Sequence, residues 1–111
     1  MAELVWINLE EGLGRMRGNE TLYKKLLNIF LSSPEFDALE EALNADDTRR
    51  AVDVAHGIKG MTGNLSLTAL FEGSTKLMNE LRAGLADPAT VAAYRDILKK
   101  TREEVKAYLS R

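Results

Sequence analysis

Apolar residues recur along the chain at three- and four-residue intervals, in runs separated by polar or glycine-containing breaks. Strand-like alternation is hard to find, so the pattern predicts an all-α fold. Asn8 followed by Glu11 reads as a capping box that opens a short helix over about Leu9–Met16. Gly18-Asn19 interrupts it, and Asn19 caps a second helix with Leu22, Leu26, Ile29 and Phe30 facing inward and Tyr23 at the edge. Ser33-Pro34 reads as a cap followed by proline at the first helical position, where the missing N–H costs nothing. Phe36, Leu39 and Leu43 form the stripe of that third helix. A break at Asn44-Ala45-Asp46 follows, with Asp46 as the cap of a long segment, Asp47 to Leu65. Ser66 is the expected cap of the next helix, whose face is Leu67, Leu70, Phe71, Ser74, Leu77, Met78 and Leu81. Asp87-Pro88 repeats the cap-then-proline start, and the last helix runs to about Leu109, with Val91, Tyr94, Leu98, Val105, Tyr108 and Leu109 inward. Connections this short make successive helices antiparallel neighbours. The expectation is an up-and-down antiparallel four-helix bundle with one or two additional short N-terminal helices, residues 1–111 forming one domain.

Composition narrows the function. The 111 residues are 45% hydrophobic and 29% charged, with a formal net charge of −2, which is no basis for a general grip on nucleic acid. With no cysteine there is no disulfide, thiolate metal site or cysteine nucleophile, and one histidine has no partner for a metal site. No apolar run approaches the ~18 residues of a membrane span, and Met1–Trp6 does not read as a signal peptide. A cytoplasmic location is the default expectation.

The segment Asp47–Leu65 carries the most information. At about 100° per residue, Ala51, Val54, Ala55, Ile58, Met61, Thr62 and Leu65 share one broad face, which must be buried. His56, the only histidine, lies almost opposite the middle of that face. Lys59, Gly60 and Gly63 follow it at i+3, i+4 and i+7 on the same side. Gly57, Gly60 and Gly63 each cost about 1 kcal/mol relative to alanine in a helix interior. None falls on the core face, so the expectation is that something large approaches the helix near His56, with Gly63 alone a candidate for serving a neighbouring helix.

The stretch Ala55-His56-Gly57-Ile58-Lys59-Gly60-Met61-Thr62-Gly63-Asn64-Leu65 resembles the signature of histidine-containing phosphotransfer domains, in which a helix carries His-x-x-Lys-Gly followed by small residues and often Asn-Leu. The resemblance extends to the following helix and loosely to the whole length. It implies that His56 is phosphorylated and that Lys59 steadies the phosphoryl group. Gly60 leaves room for a partner's active site, and Gly63 and Asn64 shape the helix end. The docking face is assigned to Gly60, Gly63, Val52, Asp53 and Gly57. Two departures from the pattern are Gly57, where Thr or Ser is common, and Met61, where a small residue is usual.

Imidazole suits such a carrier, because its neutral ring is nucleophilic near pH 7 and its phosphoramidate stays reactive. No P-loop or Gly-rich nucleotide motif is present, so the chain is read as a carrier and not as an enzyme that draws phosphate from ATP. The resemblance implies receiver domains as partners, with a hybrid sensor histidine kinase upstream and no cofactor of the domain's own. The Mg²⁺ is expected from the receiver, and the carrier is expected to be a monomer. Two rival readings are a chemotaxis-type phosphotransfer domain served directly by a kinase catalytic domain, and a helical adaptor that never takes phosphate. Met16, Met61 and Met78 read as core filler, and Arg49-Arg50 and Lys99-Lys100 as solvated faces.

Overall fold

A computed structural model describes residues 4–111. Among them the chain forms six helices and no strand: α1 (Leu9–Arg15), α2 (Glu20–Leu31), α3 (Glu35–Asn44), α4 (Thr48–Asn64), α5 (Thr68–Arg82) and α6 (Pro88–Leu109). The all-α expectation holds. Among the described residues, no helix is long and apolar enough to cross a membrane.

Side-chain caps form at four of the six helix starts. Asn8, Asn19 and Asp47 each accept from the backbone N–H three residues on, and Asp87 accepts from Ala89 with Pro88 as the first helical residue. The capping box at α1 is only half made, because the Glu11 carboxylate turns away and accepts from the Ser66 hydroxyl at 2.8 Å. Two expected caps stand one residue off. Asp46 (φ 52°) and Ser66 (φ 57°) occupy the left-handed region just past α3 and α4. There the next N–H reaches back to close the preceding helix, Asp47 to the Ala42 carbonyl and Leu67 to that of Thr62. A residue used to end one helix is not free to cap the next. Asp47 therefore caps α4. At α5, Leu67 stands in the cap position without a side-chain bond, and the Ala69 N–H instead donates to the Val5 carbonyl at 2.8 Å. Pro34 likewise sits one place before α3, and the Glu35 N–H donates to the Ser33 hydroxyl.

The core is built from one face of each longer helix. On α2, Tyr23, Leu27 and Phe30 are fully buried, whereas Leu22 and Ile29 are 39% and 53% exposed. The inward face is thus rotated from the expected stripe. Apolar residues stand in pairs at 22–23, 26–27 and 29–30, so two stripes overlap, and the hydroxyl of Tyr23 decides between them by donating to the Leu65 carbonyl. On α3, Ala42 replaces Leu43 in the interior. On α6, Tyr94, Val105 and Tyr108 are buried as expected, joined by Thr90 and Thr101. Helix α4 packs most extensively against α5 and also against α3, while α5 packs on α6 and α2 touches α6. The Phe30 and Phe36 rings meet edge-on at 5.3 Å, and Tyr108 ties α6 to α2 through Glu20.

Candidate functional site

Helix α4 buries Ala51, Ala55, Ile58 and Thr62. The Thr62 hydroxyl donates to the Ile58 carbonyl at 2.8 Å, so a polar group on the buried face leaves no unmet hydrogen bond. With Ala55 and Ile58 both turned inward, His56 between them is turned to solvent, and it is exposed. Lys59, one turn on, is half-buried and has no carboxylate partner among the described residues. At Gly60 a Cβ would meet nothing within 4 Å. The helix surface beside the histidine is bare on that side.

These residues form one wall of an open groove of about 530 Å³. His56, Lys59, Gly60, Gly63 and Asn64 line it from α4, and Phe71 and Glu72 from α5. The third wall is α1, through Glu11 and Arg15. The groove thus gathers five of the residues singled out in the sequence. It does not include Val52, which is half-buried against the core, or the exposed Asp53 and Gly57.

The three glycines of α4 differ in what surrounds them. Gly60 faces open space, while a Cβ on Gly57 would touch the Glu35 carboxylate at an ordinary 3.4 Å. At Gly63 a Cβ would stand 3.1 Å from the Phe71 ring. Gly63, the one glycine expected to be able to serve a neighbouring helix, does so, because it lets α5 come close to the end of α4. Asn64 is the last residue of that helix.

Sequence reasoning missed the α1 wall. Nothing in the order of residues brings α1 against the groove that His56 lines. The contact depends on a long-range backbone bond, the Asn8 N–H to the Ser66 carbonyl at 2.9 Å. A second feature was misread and not missed. Leu26, Ile29, Met16 and Met61 line an apolar depression that shares Arg15 and Asn64 with the His56 groove. Met78 is buried core filler, while Met16 and Met61 pack against the core in part and line this depression with the rest. The doubled apolar positions of α2 were the available signal, since one helix face has room for only one of the two stripes.

Burial, then the nearby Tyr108 and Glu11, pushes the Tyr23 hydroxyl up to about 12, so it stays protonated and holds the Leu65 carbonyl at 2.5 Å. That bond fixes the end of α4 against α2. The resulting site is an exposed imidazole with a cation one helical turn away and uncovered backbone beside it. Among the described residues no group of side chains could hold a metal ion. Such an arrangement can take a phosphoryl group from a partner and leave room for that partner to dock.

No curated protein and no solved structure matches the chain. The family model of the Hpt domain matches residues 25–109, from within α2 to the end of α6. That match spans well over half of the 111 residues, and the chain belongs to the Hpt domain family, the histidine phosphotransfer carriers of two-component signalling.

Proposed function

We propose that His56 is the phosphoryl carrier of a multistep phosphorelay, accepting from the aspartyl phosphate of one receiver domain and donating to another. One observation carries this reading: the chain's only histidine stands exposed in the groove, one turn from Lys59 and beside the bare Gly60. In the forward step, the unprotonated ring nitrogen attacks phosphorus. The acyl oxygen–phosphorus bond breaks, and the receiver's carboxylate leaves; donation is the reverse. Negative charge spreads over the equatorial oxygens in the transition state, and the Lys59 ammonium offsets part of it. The Mg²⁺ that the acyl phosphate needs comes with the receiver.

The receiver would dock across Gly60 and onto the apolar depression of Leu26, Ile29, Met16 and Met61, with Val52, Asp53 and Gly57 at the rim and Asn64 at the helix end. A desolvated apolar patch beside a polar reaction centre is the usual anatomy of a specific but transient interface. An up-and-down four-helix bundle is supported by the packing of α3 on α4, α4 on α5 and α5 on α6 through short connections.

The test is incubation with a phosphorylated receiver domain, in parallel with a kinase catalytic domain and ATP. The chain should gain one acid-labile phosphoryl group from the receiver, and His56→Gln should gain none while melting at nearly the same temperature. Labelling by the kinase domain alone would favour the chemotaxis-type arrangement. No labelling by either would leave a helical adaptor.

A further inference from the structure

We propose that Arg15, on α1, is a second phosphoryl-binding residue, closing from across the groove onto the phosphate that His56 carries; this rests on the carrier reading above. Arg15 lies ahead of the family-matched residues 25–109.

Three observations carry the inference. Arg15 lines the same groove as His56 and Lys59. Its helix is tied to the end of α4 by contacts that set its position. The Asn8 N–H donates to the Ser66 carbonyl, Glu11 accepts from the Ser66 hydroxyl, and Gly12 packs against the Tyr23 hydroxyl, which would stand 2.6 Å from a Cβ there. Finally, the present partner of the guanidinium is poor. Arg15 Nη2 lies 3.5 Å from Glu11 Oε1, with both side chains half exposed, and an exposed pair at i,i+4 is weak.

The same Glu11 oxygen already accepts from the Ser66 hydroxyl at 2.8 Å, so releasing Arg15 does not leave it without a partner. A phosphoryl group on His56 brings close to two negative charges and three strong acceptor oxygens. A planar guanidinium matches those oxygens through two parallel N–H donors, better than it matches a carboxylate at 3.5 Å. Arrival of the phosphate therefore trades the Glu11 contact for a stronger one. Lys59 acts as a point charge on the same helix as His56, and Arg15 covers the opposite side, from which water would attack. Arg15 makes and breaks no bond to phosphorus.

The experiment phosphorylates the full chain with phosphoramidate, whose P–N bond breaks as the bond to His56 forms and ammonia leaves. The ³¹P phosphohistidine signal and the ¹⁵N–¹H resonance of the Arg15 Nε–Hε group are followed together. The Arg15 resonance should shift and become protected from exchange on phosphorylation, and should not move in His56→Gln treated identically. Arg15→Ala should fold and be labelled, but lose its phosphoryl group about three- to tenfold faster, the range expected of one half-exposed charge-assisted hydrogen bond. Arg15→Lys should restore part of the lifetime. A phosphohistidine signal with an unmoved Arg15 resonance, or an unchanged lifetime in Arg15→Ala, overturns the role of Arg15 and leaves the carrier reading standing. Absence of phosphohistidine from phosphoramidate and from a phosphorylated receiver alike overturns both.

Discussion

The Tyr23 hydroxyl donates to the Leu65 carbonyl at 2.5 Å across 42 residues of sequence, joining the first turn of α2 to the end of the helix that carries His56. Both partners are buried. Tyr23→Phe keeps the ring and leaves the carbonyl without its donor, which costs about 1–3 kcal/mol. The expected result is a lower melting temperature with an unchanged helical circular-dichroism spectrum. Phosphorylation at His56 should persist, since the bond supports α4 and does not touch the groove chemistry. An unchanged melting temperature would mean that water replaces the hydroxyl at no cost.

The same residue predicts how the fold responds to alkali. Burial holds the Tyr23 hydroxyl at about 12 and pushes that of Tyr94 higher still, against an ordinary value of 10.0. A group whose value is raised on folding contributes stability that is present in full below its unfolded value and lost as pH climbs through the folded one. Stability should therefore fall from about pH 10 upward and keep falling toward pH 12. Denaturant midpoints measured at steps across that range would show it, and Tyr23→Phe should flatten the slope. A midpoint independent of pH there would show that these hydroxyls ionise as easily in the folded chain as in the unfolded one.

Much of the fold was legible in the order of residues, and the failures have identifiable physical causes. Helix α4 could be read because its small and apolar residues leave only one face to bury, and that placed His56, Lys59 and Gly60 outward together. Asp87-Pro88 could be read because the cap and the proline act within one turn. Asp46 and Ser66 could not, since the left-handed conformation at each is set by how the preceding helix closes. The face of α2 turned on a hydrogen bond to a residue 42 positions away. The α1 wall of the groove is a tertiary contact of the same kind, fixed by Asn8 and Glu11 at Ser66. Signals local to a turn survive reading in one dimension, while those that depend on a distant partner do not.

Lys59 sits one helical turn from His56, half-buried and free of any carboxylate partner among the described residues. Lys59→Ala should leave the fold intact. It should slow transfer from a phosphorylated receiver, or shorten the lifetime of phosphorylated His56, by about ten- to a hundredfold, the worth of one charge-assisted contact. Rapid-quench transfer kinetics and the decay of labelled protein measure the two effects separately. Rates equal to those of the unaltered chain would reduce Lys59 to a solvated cation.

Gly60 and Gly63 share one side of α4 but predict different responses. At Gly60 an added methyl meets open space, so Gly60→Ala should gain up to about 1 kcal/mol from reduced backbone entropy of the unfolded chain. At Gly63 the same gain is opposed by the Phe71 ring, which would stand 3.1 Å from the added methyl and must give way to admit it. Gly60→Ala should therefore melt higher than Gly63→Ala. A larger side chain then separates stability from docking. Gly60→Leu should fold, because the position points away from the core. Its bulk would stand one turn from His56, where the rim of a receiver's active site must pass to bring its aspartyl phosphate into line. Transfer from a phosphorylated receiver should fall far more than labelling by phosphoramidate, which is small enough to pass beside the leucine. Equal losses with both donors would place Gly60 in the chemistry of the histidine and not in docking. An unfolded Gly60→Leu would mean that the open space beside this glycine is closed by a neighbour in solution.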